Sequence, residues 1–256
     1  MRWAAVLGSA ALVLVTAEAL ASSAPAQRAA AFMPSPTSAA WRDARAEIAR
    51  LRASAPTSPH VTTVRVAFRG PGGIGFDGRG AIAVAPGRAL RMILLGPGGR
   101  TALDVWATPE RYRLAVPDLG IVERGAGAAP PHLPLELFRE WFLAPLEGRL
   151  LAAGTRGERA IYIVRGARLT LELGVERHAG APTVHTLETA AGGRTERVTW
   201  LGPPGRTTLV PGIGERVVFA QPASGLDVTV EVEAYGTEPP SPEAFDEPTD
   251  APEARP

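Results

Sequence analysis

The feature that most restricts the fold of this chain is a succession of short apolar runs separated by glycine and proline turns. From His60 onward the runs alternate apolar and polar side chains, as Val64, Val66 and Phe68 do in "VTTVRVAFR". Runs of about five to nine residues between such turns are typical of an antiparallel meander. Counting them predicts a mainly-β, α+β fold with about eleven or twelve strands. The runs in the second half read AIYIVRG, RLTLELGVER, TVHTLETA, RTERVTWLGP, RTTLVP, ERVVFAQ and LDVTVEVEAY.

One glycine motif in the meander has the spacing of a dinucleotide-binding loop. Gly70, Gly72 and Gly75 form a G-x-G-x-x-G after an apolar run. That fingerprint needs a helix next, because the helix N-terminus supplies the amides that hold a pyrophosphate. The following text, "FDGRGAIAVAPG", is instead typical of a second strand. We therefore interpret the glycines as the connection of a β-hairpin.

Two helices are predicted within the body of the chain. Trp41 to Ala53 places Trp41, Ala44, Ile48 and Leu51 at helical spacing with charges opposite. "PLELFREWFLAPLEG" begins at Pro134, a favoured first helical residue, and Gly148 ends it. This second helix is apolar on more than one face and needs cover on more than one side, as inside a curved sheet.

The two ends of the chain differ from the body. Residues 1–26 combine a positive start, a twelve-residue apolar run and A-x-A sites, which predicts a cleaved signal peptide and an exported, periplasmic protein. Residues 27–40 are expected to be a linker and residues 41–236 the folded domain. Residues 237–256 are predicted to be a disordered, acidic, proline-rich tail, with Phe245 as a possible single anchor. The tail carries six acidic residues against Arg255.

Residue types exclude several kinds of chemistry. Zero cysteine excludes disulfides, thiol catalysis and iron–sulfur clusters. The absence of G-x-S-x-G excludes a hydrolase elbow, and no two of the four histidines have the spacing of a metal pair. Strand carboxylates such as Glu172 fall on a face that alternation makes solvated. The alternative is a pair of acids that meet in space, as in a glycosidase. We expect no enzyme, no metal and no cofactor, and the net charge of +1 gives no case for nucleic acid.

The text from Gly80 to Pro117, "GAIAVAPGRALRMILLGPGGRTALDVWATPERYRLAVP", resembles the lipoprotein-localisation carriers of the LolA/LolB type. The resemblance extends to the order of elements over residues 41–236. It implies an open, curved antiparallel half-barrel wrapped around one or two helices that cover an apolar cavity for acyl chains. The positions that match the family's paired strands are Arg91, Gly96, Pro97, Asp104, Tyr112 and Leu114.

The same resemblance implies a function without catalysis. The chain would carry acyl chains of lipoproteins or phospholipids through the periplasm as a monomer, between an inner-membrane donor and an outer-membrane acceptor. Since it has no cysteine to acylate, a soluble carrier is expected rather than an anchored acceptor. The candidate lipid-binding residues are Val66, Phe68, Met92, Leu94, Leu114, Leu171, Leu173 and Val230 on the sheet, with Phe138, Trp141 and Phe142 closing the cavity.

A filled core is the alternative to a carrier. The same apolar side chains can occupy the half-barrel completely and leave a non-catalytic envelope scaffold or interaction domain. Cavity volume separates the two hypotheses, since ligand pockets begin near ~300 Å³.

Overall fold

The computed structural model describes residues 38–70, 75–129, 135, 139–144, 146–166, 169–178, 181–191, 194–201, 209–221 and 225–249. The predicted signal peptide and residues 27–37 of the predicted linker lie outside them. The helix α1 spans Ala39–Ala53. The strands are β1 His60–Arg69, β2 Gly75–Ala85, β3 Ala89–Leu95, β4 Thr101–Ala107, β5 Arg111–Val116, β6 Ile121–Ala126, β7 Arg149–Arg156, β8 Arg159–Arg165, β9 Thr170–His178, β10 Ala181–Ala191, β11 Arg194–Leu201, β12 Arg216–Gln221 and β13 Leu226–Tyr235. Within these ranges, no helix has the length and apolar character needed to cross a membrane.

The strands form one open antiparallel sheet in the order β6-β5-β4-β3-β2-β1-β13-β12-β11-β10-β9-β8-β7. Two meanders therefore run outward from the middle, where the first and last strands pair with Val66 opposite Val230. Buried residues from both meanders share a single core with α1, for example Leu90, Leu171 and Leu51. Since one core joins both halves, the sheet curls around the helix. The predicted fold class, an open curved antiparallel sheet, is confirmed.

The described residues form thirteen strands, and the difference from the expected count lies at the sheet's edges. β6 and β7 were not among the predicted runs. The letters of β7, RLLAAGTR, include three small residues in its middle, and those of β6, IVERGA, place apolar residues side by side at its start. Neither sequence therefore alternates apolar and polar residues strongly. The predicted strand at residues 206–211 is wrong for residues 209–211, which lie in a loop. The carbonyls of Leu209 and Pro211 accept hydrogen bonds from Trp141 and Tyr235 side chains instead of a neighbouring strand.

The G-x-G-x-x-G motif connects two paired strands. β1 and β2 are antiparallel neighbours, and Arg69 lies opposite Gly75. The hairpin interpretation is therefore confirmed, since the last glycine of the motif, Gly75, begins strand β2.

Residues 127–148, which we call the crossing segment, join the two edge strands β6 and β7. Of its described residues, Leu135, Trp141, Leu143 and Leu146 are buried in the core on the concave side of the sheet. The described part of the segment includes a π-helical turn at Arg139–Leu143, where the sequence predicts the second helix. The backbone N–H of Gly87 donates to the Leu143 carbonyl at 2.7 Å. The Arg52 side chain of α1 donates to the carbonyls of Leu146 and Gly148, both at 2.6 Å. The crossing segment is thus fixed to the β2–β3 turn and to α1.

Helix α1 begins two residues earlier than the sequence predicts. Ser38 is its N-cap, and the Ser38 hydroxyl accepts a hydrogen bond from the Trp41 backbone N–H at 3.2 Å. An N-cap of this kind satisfies one of the amides that a helix leaves without a partner in its first turn. Ile48 and Leu51 are almost fully buried, so α1 is packed into the core.

Replacement of this cap gives a first prediction. The Ser38→Ala variant is expected to lose about 1 kcal/mol of unfolding free energy, because the Trp41 amide loses its partner at the helix start. Urea denaturation followed by circular dichroism measures the loss. Ser58→Ala, in an exposed loop, is the matched control and should unfold within about 0.5 kcal/mol of the parent. Equal stabilities of the two variants would show that the cap does not contribute.

The end of the chain is packed against the outer face of the sheet as far as it is described. Residues 242–245 form a 3-10 turn, and Phe245 is buried against Ala85 and Ala89. For residues 237–249 the structure therefore differs from the predicted disorder. The physical reason is the anchor itself, since burying one phenylalanine stabilises this short segment on the sheet by roughly 2–3 kcal/mol.

Candidate functional site

A small cavity lies on the concave face of the sheet beneath the crossing segment. Its volume is about 20 Å³, enough for a single water molecule. The wall is apolar, with His60, Thr62 and Tyr235 as the residues that bring polar atoms. The remaining lining residues are Val64, Ile82, Met92, Val217, Val230 and Val232 from the sheet, Trp141 and Phe142 from the crossing segment, and Val210 and Pro211 from a loop.

Trp141 and Phe142, which we call the lid pair, close the cavity. Their rings are stacked with centroids 4.8 Å apart and planes inclined by 22°. The Trp141 indole N–H donates to the Leu209 carbonyl at 3.0 Å, and the Leu209 N–H donates to the Ser54 hydroxyl at 3.2 Å. The lid pair is therefore connected through Leu209 to the end of α1.

The loop at residues 209–215, which we call the rim loop, forms the side of the cavity near the ends of β1 and β13. The Tyr235 hydroxyl donates to the Pro211 carbonyl, and the His60 ring lies 6.5 Å from the Tyr235 ring. The Glu215 carboxylate accepts a hydrogen bond from the Gly212 N–H at 2.9 Å. His60, Phe142, Val210 and Tyr235 are half-buried, whereas the sheet wall is buried. The solvent-facing side of the cavity is therefore formed by Phe142 of the lid pair, Val210 of the rim loop and the two strand ends that carry His60 and Tyr235.

The backbone of the crossing segment is strained beside the lid pair. Leu146 has a φ of 57°, in the left-handed region that residues with a Cβ rarely occupy. The preceding π-helical turn is also a rare backbone form that occurs often at functional sites. Both deviations lie within a few residues of the cavity, which makes the crossing segment the part of the site with the most stored backbone strain.

A cation holds the crossing segment to the sheet on the β5 side. Arg139 lies over the Tyr112 ring of β5 at 5.8 Å, and within the crossing segment its guanidinium donates to the Gly127 carbonyl at 2.8 Å. Burial raises the pKa of the Tyr112 phenol, the Glu123 carboxylate raises it further, and Arg139 partly offsets both effects. The phenol therefore remains protonated at neutral pH.

The structure brings four of the predicted site residues together around the cavity. Met92, Trp141, Phe142 and Val230 line it. Val66, Leu94, Leu171 and Leu173 are buried in the same core but away from the cavity, and Leu114 packs against that core half-buried. Phe68 is half-buried and lies opposite Phe76 of β2 on one side and Val228 of β13 on the other. Phe138 lies outside the described residues. The lipid-binding role of all eleven stays a prediction.

Sequence reasoning missed the residues that complete the cavity. Val64 and Val232 lie on the same strand faces as the predicted Val66 and Val230, so alternation could have found them. His60 and Tyr235 meet because the first and last strands pair, with Thr62 opposite Tyr235. That pairing of distant segments leaves no local signal in the sequence.

The carboxylates that sequence reasoning considered belong to ion pairs. Glu172, expected on a solvated face, is buried and lies 2.8 Å from the Arg156 guanidinium. Asp104 is buried on the outer face and accepts hydrogen bonds from Arg91 and Arg113, each at 3.2 Å. Within the described ranges there is no group of three or more His, Asp or Glu that could hold a metal ion.

Removing the Asp104 carboxylate gives a second prediction. Asp104→Ala should lower the unfolding free energy by about 3 kcal/mol, because Arg113 would keep a buried charge without its counter-ion. Asp77→Ala is the control, since Asp77 pairs with Arg69 in a largely exposed salt bridge and should cost under about 1 kcal/mol. Chemical denaturation of both variants checks the difference, and equal losses would contradict a structural role for the buried pair.

Comparison with known proteins is informative at the level of structure. No family model and no curated protein matches the sequence. LolA superfamily protein NE2245 from Nitrosomonas europaea matches with a TM-score of 0.56 at 12% identity, over 80% of this chain and 97% of that chain. The chain has a LolA-like fold.

Two further structures agree with a LolA-like fold. A DUF1329 family protein from Desulfovibrio piger matches with a TM-score of 0.52 at 10% identity, over 80% of this chain and 96% of the other. A proposed outer membrane lipoprotein-sorting protein domain from Vibrio parahaemolyticus matches with a TM-score of 0.51 at 10% identity, over 80% and 95%. The family resemblance inferred from Gly80 to Pro117 is thus confirmed as a structural match at low sequence identity.

Proposed function

We propose that this chain is a periplasmic carrier that holds the acyl chains of lipoproteins or phospholipids between the concave sheet and the lid pair, without catalysis. The observation that carries the proposal is an apolar cavity closed by two aromatic side chains within a LolA-like fold. Donor and acceptor proteins in the two membranes would load and unload it. The chain would act as a monomer.

The small volume of the cavity is compatible with a carrier that is empty. An unfilled apolar space of 300 Å³ would cost about 7 kcal/mol at the rate measured for engineered cavities. An unloaded carrier should therefore collapse its aromatic side chains into the space, as the lid pair does here. Carriage then requires the lid pair to move, and the strained backbone at Leu146 marks where the segment can change conformation.

The free energy of acyl binding is large enough to open such a lid. Burial contributes roughly 0.8 kcal/mol per methylene, so about ten methylenes would contribute roughly 8 kcal/mol. Displacing the lid pair breaks the Trp141–Leu209 hydrogen bond, which is worth only about 1 kcal/mol net. The other cost is exposure of the two rings, which the acyl chain itself can cover.

A titration with BODIPY-labelled palmitate tests the proposal. The carrier hypothesis predicts saturable binding of one probe per chain, and unlabelled palmitate or phospholipid should displace the probe. The 20 Å³ cavity favours the alternative of a filled scaffold. A chain that takes up no probe at any concentration below probe aggregation would establish that alternative and reject carriage.

A further inference from the structure

The C-terminal segment, residues 242–247, covers one patch of the sheet's outer face, on the side opposite the cavity. Phe245 enters an apolar site formed by Ala85 and Ala89, with the Arg88 guanidinium 5.9 Å from its ring centroid. The Trp106 indole N–H donates to the Phe245 carbonyl at 2.8 Å. One aromatic side chain and one carbonyl thus locate the segment on strands β2, β3 and β4.

Charge complementarity extends the contact beyond Phe245. The Glu247 carboxylate lies 2.6 Å from the Arg111 guanidinium and 3.4 Å from that of Arg124. Arg111 also lies 5.9 Å from the centroid of the Trp106 ring. The segment itself reads Glu-Ala-Phe-Asp-Glu from residue 243, so an aromatic residue is flanked by acids on both sides. The Glu243 carboxylate accepts hydrogen bonds from its own backbone N–H and from the Ser241 hydroxyl. Both bonds lower the pKa of Glu243, which keeps that carboxylate ionised.

These contacts use features that any short peptide of the same chemistry can supply. The backbone hydrogen bonds within the segment are local turn contacts, from Ala244 to Ser241 and from Asp246 to Glu243. The ion pairs are half-exposed, since the side chains of Arg111 and Arg124 are 60% and 42% accessible. Such pairs are weak and sensitive to salt. The segment is therefore held by one buried ring and by screened charges, which suits a contact that can be exchanged.

We propose that the outer face of β2–β6 is a docking groove for an acidic peptide with one aromatic residue, and that the C-terminal segment occupies this groove in cis. A partner protein that presents such a peptide would displace the segment and bind Trp106, Arg111 and Arg124. This groove is separate from the cavity, so it provides a contact with a protein partner whether or not the chain carries lipid.

A fluorescent peptide of residues 239–249 tests the groove by anisotropy on the full-length chain. The Phe245→Ala variant, which has lost its own anchor, should bind the peptide at least tenfold more tightly than the parent. A control peptide with alanine at the phenylalanine position should bind at least tenfold more weakly than the native peptide. Raising the salt from about 50 to 500 mM should weaken binding, because the ion pairs are screened.

Three further measurements make the outcome decisive. Adding Trp106→Ala to the Phe245→Ala variant should weaken binding about fivefold or more, since the groove then lacks the indole donor. If Phe245→Ala does not fold, Glu247→Arg opens the segment by removing both ion pairs at a more exposed position. Equal affinity of parent and opened variants, or no binding to either opened variant, would overturn the proposal. A parent dimer that Phe245→Ala converts to a monomer would also overturn it, since the occupant would then come from a second copy.

Discussion

The Trp141→Ala variant is expected to lose about 3–5 kcal/mol of unfolding free energy, the range for truncating a large buried aromatic residue. Trp141 is only 5% exposed, stacks on Phe142 and donates to the Leu209 carbonyl, so its removal leaves a void and an unbonded acceptor. Equilibrium urea unfolding measures the change. The loss should be large whether the cavity carries lipid or is filled.

Trp141→Phe is the matched control for that prediction. It keeps most of the apolar volume and removes the indole N–H, so it should cost about 1 kcal/mol. A Trp141→Ala variant as stable as Trp141→Phe would contradict the account, because the lid pair would then not be part of the packed core.

The second large effect concerns binding. Phe142→Asp should raise the dissociation constant for BODIPY-labelled palmitate at least tenfold. An ionised carboxylate in contact with an acyl chain loses hydration without gaining a partner, and a tenfold change needs only about 1.4 kcal/mol. Phe142 is half-buried, so the charged side chain can reach solvent in the unloaded chain and the fold should survive. Thermal unfolding followed by circular dichroism verifies this.

Ile161→Asp provides the comparison for the binding experiment. Ile161 is also a half-buried apolar residue, but it lies on the outer face of β8, in a cluster with Ala152 and Ile163 that is separate from the main core. Its affinity for the probe should stay within about twofold of the parent, since no new charge faces the acyl chain. If both variants bind as the parent does, the probe does not enter beneath the lid pair.

Local sequence patterns were sufficient for the central strands and for α1. Val64 and Val66 alternate with exposed residues because one face of β1 is in the core, and that alternation is visible in the letters. The edges were missed because a strand with one neighbour needs less apolar patterning, as the exposed Val122 in β6 shows. The alternation of apolar and polar residues therefore predicts the central strands, which have one buried face, and predicts the edge strands poorly.

The candidate site was only partly predictable. Met92 and Val230 follow from alternation, and the lid pair follows from the family resemblance. The rim loop could not be inferred, since Pro211 enters the site through a hydrogen bond from Tyr235, which is distant in sequence. Cavity volume is also absent from sequence, because it depends on how closely side chains from different strands approach.

Carriage requires the lid pair to open for an acyl chain, and a lipid that stays bound through purification would be direct evidence of such opening. The full-length chain is expressed with its N-terminal sequence, purified gently from the periplasm and examined by native mass spectrometry, followed by lipid extraction. The carrier hypothesis predicts a bound phospholipid or acylated peptide on the parent and its loss from Phe142→Asp but not from Ile161→Asp. A bare protein mass that remains unchanged after incubation with phospholipid or palmitate would contradict the carrier account.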